Sequence, residues 1–563
     1  MQEISDALRS LPAAANIDRF RSDAVAFGKG LMVRRFLTLL SLTVCATLGL
    51  PMAPAAAQQT GGILKFFHRD SPASMSIHEE ATISTVAPMM GVFNNLVLFK
   101  QDEKQNRPEF IEPELAESWS WDEDHTRLTF KLRQGVKWHD GKPFTATDVK
   151  CTWDMLLGKS QEKLRLNPRK AWYRNLEEIV PNGNYAVTFV LKRSQPAFLM
   201  LLASGMSPVY PCHVPPRDMR TRPIGTGPFK FAEFKPNEFI RVVKNPDYWK
   251  PGRPYLDGIE WTIIPNRSTQ TLAFIAGKFD MSFPYEVTLQ SMRDIQNQAP
   301  NAICEMTPTP VAMNLLVNRD AAPFDDPDIR RAMQLTIDRK SFLDIIAEGQ
   351  GDINGAMQSP PAGLWGLPPE ILTTLPGYGP DVAQNRAEAR KLMERHGYGS
   401  DHRLAVKVAT RNIAQYRDPA IILIDQMKEI YIDGELDAVE TANWFPKIAR
   451  KDYMVGANLS GSGVDDPDAY FFEHYACGSE RNYTNYCNPG LEKMYEQQSI
   501  GPDQTNRKQL VWEIDRRLQE DAARPMIFNY RLGTCRSPVV HGITIMVNSL
   551  FNGWRFEDAW LGQ

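Results

Sequence analysis

Leu128-Thr129-Phe130-Lys131-Leu132-Arg133-Gln134-Gly135-Val136-Lys137-Trp138-His139-Asp140-Gly141-Lys142-Pro143-Phe144-Thr145-Ala146-Thr147-Asp148-Val149 carries a strand, a turn and the start of a helix in one stretch. Apolar and polar residues alternate from Leu128 to Leu132, the period of a half-buried strand, and Gly135 ends it. Thr145 to Asp148 has the form of a capping box, and Val149, Trp153, Leu156 and Leu157 then recur at helical spacing. His139-Asp140 lies in the Gly/Pro turn between the two elements, where the pair shapes backbone rather than binds metal.

The same mixture of periods continues outward. Ile63 to Phe67 is a short apolar strand after Gly61-Gly62, and Val86 to Leu98 is an apolar stretch of mixed period. Asp326-Pro327 puts a capping residue before proline at the first helical position, with Ile329, Ala332, Met333 and Ile337 on one face. A further helix carries Phe342, Ile345 and Ile346 inward and ends at Gly349. Others are predicted over 383–395, stopped by Gly397, over 419–431, and through Leu510, Val511, Ile514 and Leu518. Strands over 259–264 and 404–408 lie between helical stretches, so the class is α/β with several sheets.

Composition removes several functions. The 563 residues are 43% apolar and 23% charged with a net charge of -3, an ordinary globular balance without a basic footprint for nucleic acid. There is no Gly-x-x-x-x-Gly-Lys-Ser/Thr phosphate loop, no His-Glu-x-x-His helix and no Gly-x-Ser-x-Gly elbow. No catalytic residue can be named, and neither metal nor cofactor is expected. Near the N-terminus, Arg34-Arg35 precedes an apolar run from Phe36 to Leu50 and then Ala55-Ala56-Ala57, which predicts a secretory signal peptide cleaved after Ala57, with Met32 as initiator. An uncleaved anchor and a lipid anchor at Cys45 are the alternatives. Export leaves six cysteines in an oxidising compartment. Cys477 and Cys487 stand close together in an Asn-rich stretch where a disulfide-closed loop forms easily, whereas the pairing of Cys151, Cys212, Cys304 and Cys535 stays open.

Aromatic residues beside Gly or Pro, among them Trp365, Trp444 and Tyr530, suit a cleft with apolar walls and few polar groups. Ser460-Gly461-Ser462-Gly463 offers successive backbone N–H groups to an anion or a sugar hydroxyl, or simply connects two elements.

Four ordered segments carry a resemblance. They are the opening stretch together with Ala116-Glu117-Ser118-Trp119; Gly225 to Lys230 leading to Asn245-Pro246-Asp247-Tyr248-Trp249; Pro323 to Asp338-Arg339; and Asp466-Pro467-Asp468 with Cys477, Asn482-Tyr483 and Cys487-Asn488-Pro489. On these the chain resembles the peptide/nickel/opine family (family 5) of extracellular solute-binding proteins of ABC transporters. The resemblance implies a type II periplasmic-binding-protein fold, two lobes with a two-strand hinge plus an inserted domain. Lobe I would take 58–95, 205–310 and 520–563, the insert 96–204, and lobe II 311–519.

The resemblance also implies function: a monomeric periplasmic protein, not an enzyme, that captures a small organic solute between its lobes and delivers it to an inner-membrane ABC permease. A sensing receptor for chemotaxis or signalling on the same fold is the alternative, and a secreted hydrolase would need a nucleophile and base that cannot be named. The candidate ligand-binding residues are Ser460, Ser462, Gly463, Asp465, Trp444, Asn314 and Tyr285. In peptide-binding relatives an Asp three residues before the acidic-Pro pair holds the peptide's α-ammonium. That position is Gly463 here, so the amine clamp is missing unless Asp465 substitutes.

Overall fold

The computed structural model describes residues 58–501 and 503–562. The signal-peptide reading, with Met32, Arg34, Arg35, Cys45 and Ala55 to Ala57, lies outside the described residues.

The opening stretch folds as its periods require. Ala116–Trp121, Arg127–Leu132, Ala186–Leu191 and Leu176–Pro181 form an antiparallel sheet in that order. Gly135 and Gly141 take φ of +79° and +87°, which is why glycine serves both turns. The helix Ala146–Leu156 begins where the Asp148 carboxylate accepts the Thr145 N–H at 2.9 Å, and its buried Trp153 meets Phe189 of the sheet edge-on. This unit is the extra layer of the α/β architecture.

Two other sheets carry the body. In the first, Ile63–His68 pairs parallel with Gly258–Ile263, followed by Phe239–Lys244 and Phe229–Lys235. The second has the order Gly351–Asp352, Met526–Arg536, Ile303–Val317, Val455–Gly461, Leu404–Arg411 and Ile432–Val439.

Ile303–Val317 and Met526–Arg536 are long because they serve both bodies. Their outer halves pair from Ile303 with Arg536 to Pro308 with Arg531, and bridges from Met281 to Arg536 and Val287 to Gly533 tie that half to the first body. After a break in register the inner half of Ile303–Val317 pairs with Val455–Gly461, starting at Val311 with Gly461. Pro308 and Pro310 have no N–H to give the ladder, so the interruption falls there. The two strands therefore cross between lobes near Thr309 to Val311 and Asn529 to Arg531. Cys304 and Cys535, register partners in the outer half, are disulfide-bonded.

The expected helices are Pro327–Thr336, Arg339–Ala347, Val382–Arg395 and Gln504–Glu520, but in the second Ile345 is exposed rather than inward, while Phe342 is buried. One start differs. The helix predicted over 419–431 runs Ala414–Met427, with Pro419 inside it. Proline cannot donate to the carbonyl four residues back, but the Tyr530 hydroxyl donates to that Gln415 carbonyl at 2.8 Å. A distant side chain thus satisfies the carbonyl that Pro419 leaves without its helical partner.

Candidate functional site

Where the two strands cross, the lobes enclose a cavity of about 50 Å³. Arg69, Ile83, Tyr285 and Phe551 line it together with Gln415, Tyr416, Phe445, Leu459 and Gly461, and the crossing strands supply Thr309, Val311 and Tyr530. The walls are aromatic and aliphatic with few polar groups, the usual makeup of a small-molecule site. Tyr285 holds φ of 53°, a left-handed backbone uncommon outside glycine, and its hydroxyl donates to the Met546 carbonyl at 2.6 Å.

Strand alternation sorts the candidates. Leu459 and Gly461 line the cavity, whereas Ser460, between them, faces the other side of the sheet. There its hydroxyl accepts from Asn314 Nδ2 at 2.7 Å, and Asn314 Oδ1 accepts from Arg524 Nε at 2.8 Å. Trp444 is buried with Leu316, Ala409 and Ile448 and donates to Asn458 Oδ1 at 3.2 Å, while its neighbour Phe445 lines the cavity. Ser462 is buried, and its Oγ accepts the Val464 N–H at 3.4 Å. Of the seven, Tyr285 alone lines this cavity.

Gly463 is a junction between bodies. Its carbonyl accepts from Asn552 Nδ2 at 3.0 Å, Ser549 Oγ at 3.3 Å and Ser204 Oγ at 3.4 Å. A Cβ there would lie 2.5 Å from Trp172, so an indole fills the space beside Gly463. Asp465 faces a second cavity of about 390 Å³, lined also by Asn106, Met200, Trp365 and Arg507. Burial pushes its pKa up to about 7, with Asn548 Nδ2 at 3.5 Å. The neighbouring Asp466 instead takes Arg507 at 2.6 and 2.8 Å.

A buried ion pair joins the lobes beside the first cavity. Arg411 Nη2, at the end of Leu404–Arg411, contacts Asp70 Oδ2, just past Ile63–His68. Asp70 also accepts from Ser84 Oγ at 2.7 Å and Thr441 Oγ1 at 2.6 Å. Burial alone would raise the Asp70 carboxyl, but Arg411 and Arg69 outweigh it and hold it well below the usual carboxylate range. Elsewhere, Trp172 Nε1 donates to Glu473 at 2.6 Å and Gln195 to Asp468 at 2.8 Å. Sequence reasoning passed over Arg69, Asp70, Arg411 and Gln415. The charged run His68-Arg69-Asp70 directly after an apolar strand was the available signal for the first two.

Cys477 and Cys487 are bonded, as are Cys151 and Cys212. Among the described residues, Asp326, Asp328 and His396 have metal-ligand spacing, but they sit at a helix start outside the cleft, where Arg395 pairs with Asp328 at 2.7 Å.

Residues 111–482 match the family model of bacterial extracellular solute-binding proteins, family 5 Middle. Di/tripeptide-binding protein 1 of Pseudomonas aeruginosa is 26% identical over 522 residues, 87% of this chain and 93% of that protein. Among solved structures, the periplasmic binding protein DppA of Helicobacter pylori with the peptide STSA gives a TM-score of 0.78 at 20% identity, covering 90% of this chain and 99% of that one. AgaA of A. tumefaciens with agropinic acid gives 0.75 at 22% identity, covering 89% and 99%. These likenesses show the two-lobed fold.

Proposed function

Because the chain belongs to the bacterial extracellular solute-binding proteins, family 5, we propose that it is the periplasmic receptor of an ABC importer, closing its lobes on a small organic solute and presenting the closed form to the permease. The family is one of binding proteins, not enzymes. The observation that carries the reading is the cavity at the two-strand crossing, walled by both lobes, so that a molecule inside it stabilises closure over opening. The lobe limits at 58–95, 205–310 and 520–563 for lobe I, 96–204 for the insert and 311–519 for lobe II belong to the same proposal, with the second crossing carried into Met526–Arg536. So do a monomeric state and export with cleavage after Ala57, for which intact mass of the periplasmic protein should show a start at Gln58.

The named relatives bind di- and tripeptides, peptides and agropinic acid. Two features set this chain apart from an ordinary dipeptide binder: glycine at the amine-clamp position, and Trp172 packed against it. The solute is therefore one without a free amino terminus held by a carboxylate clamp, such as a modified peptide, an opine-like molecule or an oligosaccharide. Tyr285, Arg69, Gln415 and Phe445 are the contacts assigned to it.

A thermal-shift screen of the mature protein against peptides, opines, oligosaccharides and metal chelates tests the proposal. A solute at about 100 times its Kd adds about 2.7 kcal/mol of stability, a visible shift. Val311→Trp, which fills the cavity, should abolish it. A binder whose shift survives that substitution would place the site elsewhere.

A further inference from the structure

We infer that the cavity at the strand crossing selects a compact organic carboxylate with an apolar body. The inference rests on the reading of this cavity as the solute site. Two arginines, Arg69 and Arg481, line it, and no Asp or Glu does. Arg481 is neutralised by its close ion pair with Glu473. Arg69 is not matched in the same way: Nη1 reaches Glu286 at 3.4 Å, while Nε has no hydrogen-bond partner and stands 3.9 Å from Asp70 Oδ1. Asp70 is itself occupied by Arg411, Ser84 and Thr441. Burial, ahead of the pull of Arg69, pushes the Glu286 carboxyl up, which weakens it further as a counterion.

The second group is Gln415, 2% exposed, whose amide stands beside the Glu286 carboxyl but makes no well-formed hydrogen bond through either its nitrogen or its oxygen. Buried polar groups are almost always paired, so an arginine N–H and a whole amide left open on one cavity describe what is to enter it. A carboxylate takes the Nε–H of Arg69 as a charge-assisted bond and the Gln415 N–H as a second. Ile83, Val311, Tyr416, Phe445 and Leu459 receive the apolar remainder. An ammonium would instead be desolvated beside Arg69 with no carboxylate on the wall to receive it.

Matched probes small enough for this cavity separate these classes: propionate, propionamide and propylamine share a body and differ in charge. Calorimetric titration of the mature protein should show the carboxylate binding at least tenfold tighter than the amide or the amine. Arg69→Gln should erase that preference, and Gln415→Leu should reduce it severalfold. Equal or tighter binding of the amide or amine, a preference that survives both substitutions, or no binding of the carboxylate overturns the inference. If the amine binds and Val311→Trp removes it, the cavity remains the solute site and only the charge class is wrong. Binding that persists in Val311→Trp rejects the site as well.

Discussion

Asp70→Asn isolates what the buried interlobe ion pair contributes to closure. The substitution keeps the shape of the side chain and leaves Arg411, fully buried, without its anion. Removing one partner of a buried pair costs about 3–5 kcal/mol, because the other charge stays desolvated. The penalty falls on the closed form, since opening moves Asp70 and Arg411 apart into water. Solute affinity should therefore fall by a factor of about 10² to 4 × 10³, at about 1.4 kcal/mol per tenfold. Calorimetric Kd values and small-angle scattering at saturating solute read the two consequences, weaker binding and a larger radius of gyration. Adding Arg411→Gln to Asp70→Asn should recover part of the loss, as expected of residues that act as a pair. The carboxyl is depressed in the folded protein, so its contribution is complete above the ordinary Asp range near 3.9 and lost only as pH falls through the lower folded value. The effect of the substitution should accordingly be constant from pH 5 to 8. A Kd within about threefold of wild type, with scattering that still shows closure, would refute the assignment of this pair as a closing contact.

Gly463→Ala sets a Cβ 2.5 Å from Trp172 and 2.9 Å from Ser204 Oγ, an overpacking worth about 1–3 kcal/mol, and should lower both the melting temperature and solute affinity unless Trp172 is also made smaller. Asp465→Asn tests the raised carboxyl: with a folded pKa of about 7 above its unfolded value, wild-type stability falls as pH rises from about 4 through 7, so the variant should gain on wild type between urea titrations at pH 5 and pH 8. An unchanged gap would count against it. Replacing Cys304 and Cys535 by serine opens a loop of 231 residues and should cost about 2–4 kcal/mol in denaturant midpoints under oxidising conditions, with no difference from wild type once both are reduced.

The strand, glycine turn and helix between Leu128 and Leu157, the capped helix from Asp326, the helix that ends before Gly349, and the apolar strand before His68 were all legible in the chain. Each rests on alternation, helical spacing or a cap acting over a few residues. The family segments extended this to the two-lobed class. The chain could not show which face of Val455–Gly461 meets the cavity, because period two is satisfied equally with Ser460 or Leu459 turned inward. Nor could it show that a helix runs through Pro419, since the hydroxyl that compensates comes from Tyr530, on another element. Asp70 and Arg411 stand 341 residues apart and become a pair only when two separate sheets are joined by crossing strands. Local periodicity and capping determined the elements, and long-range packing decided the site, because burying a charge or an amide depends on neighbours that only the assembled lobes supply.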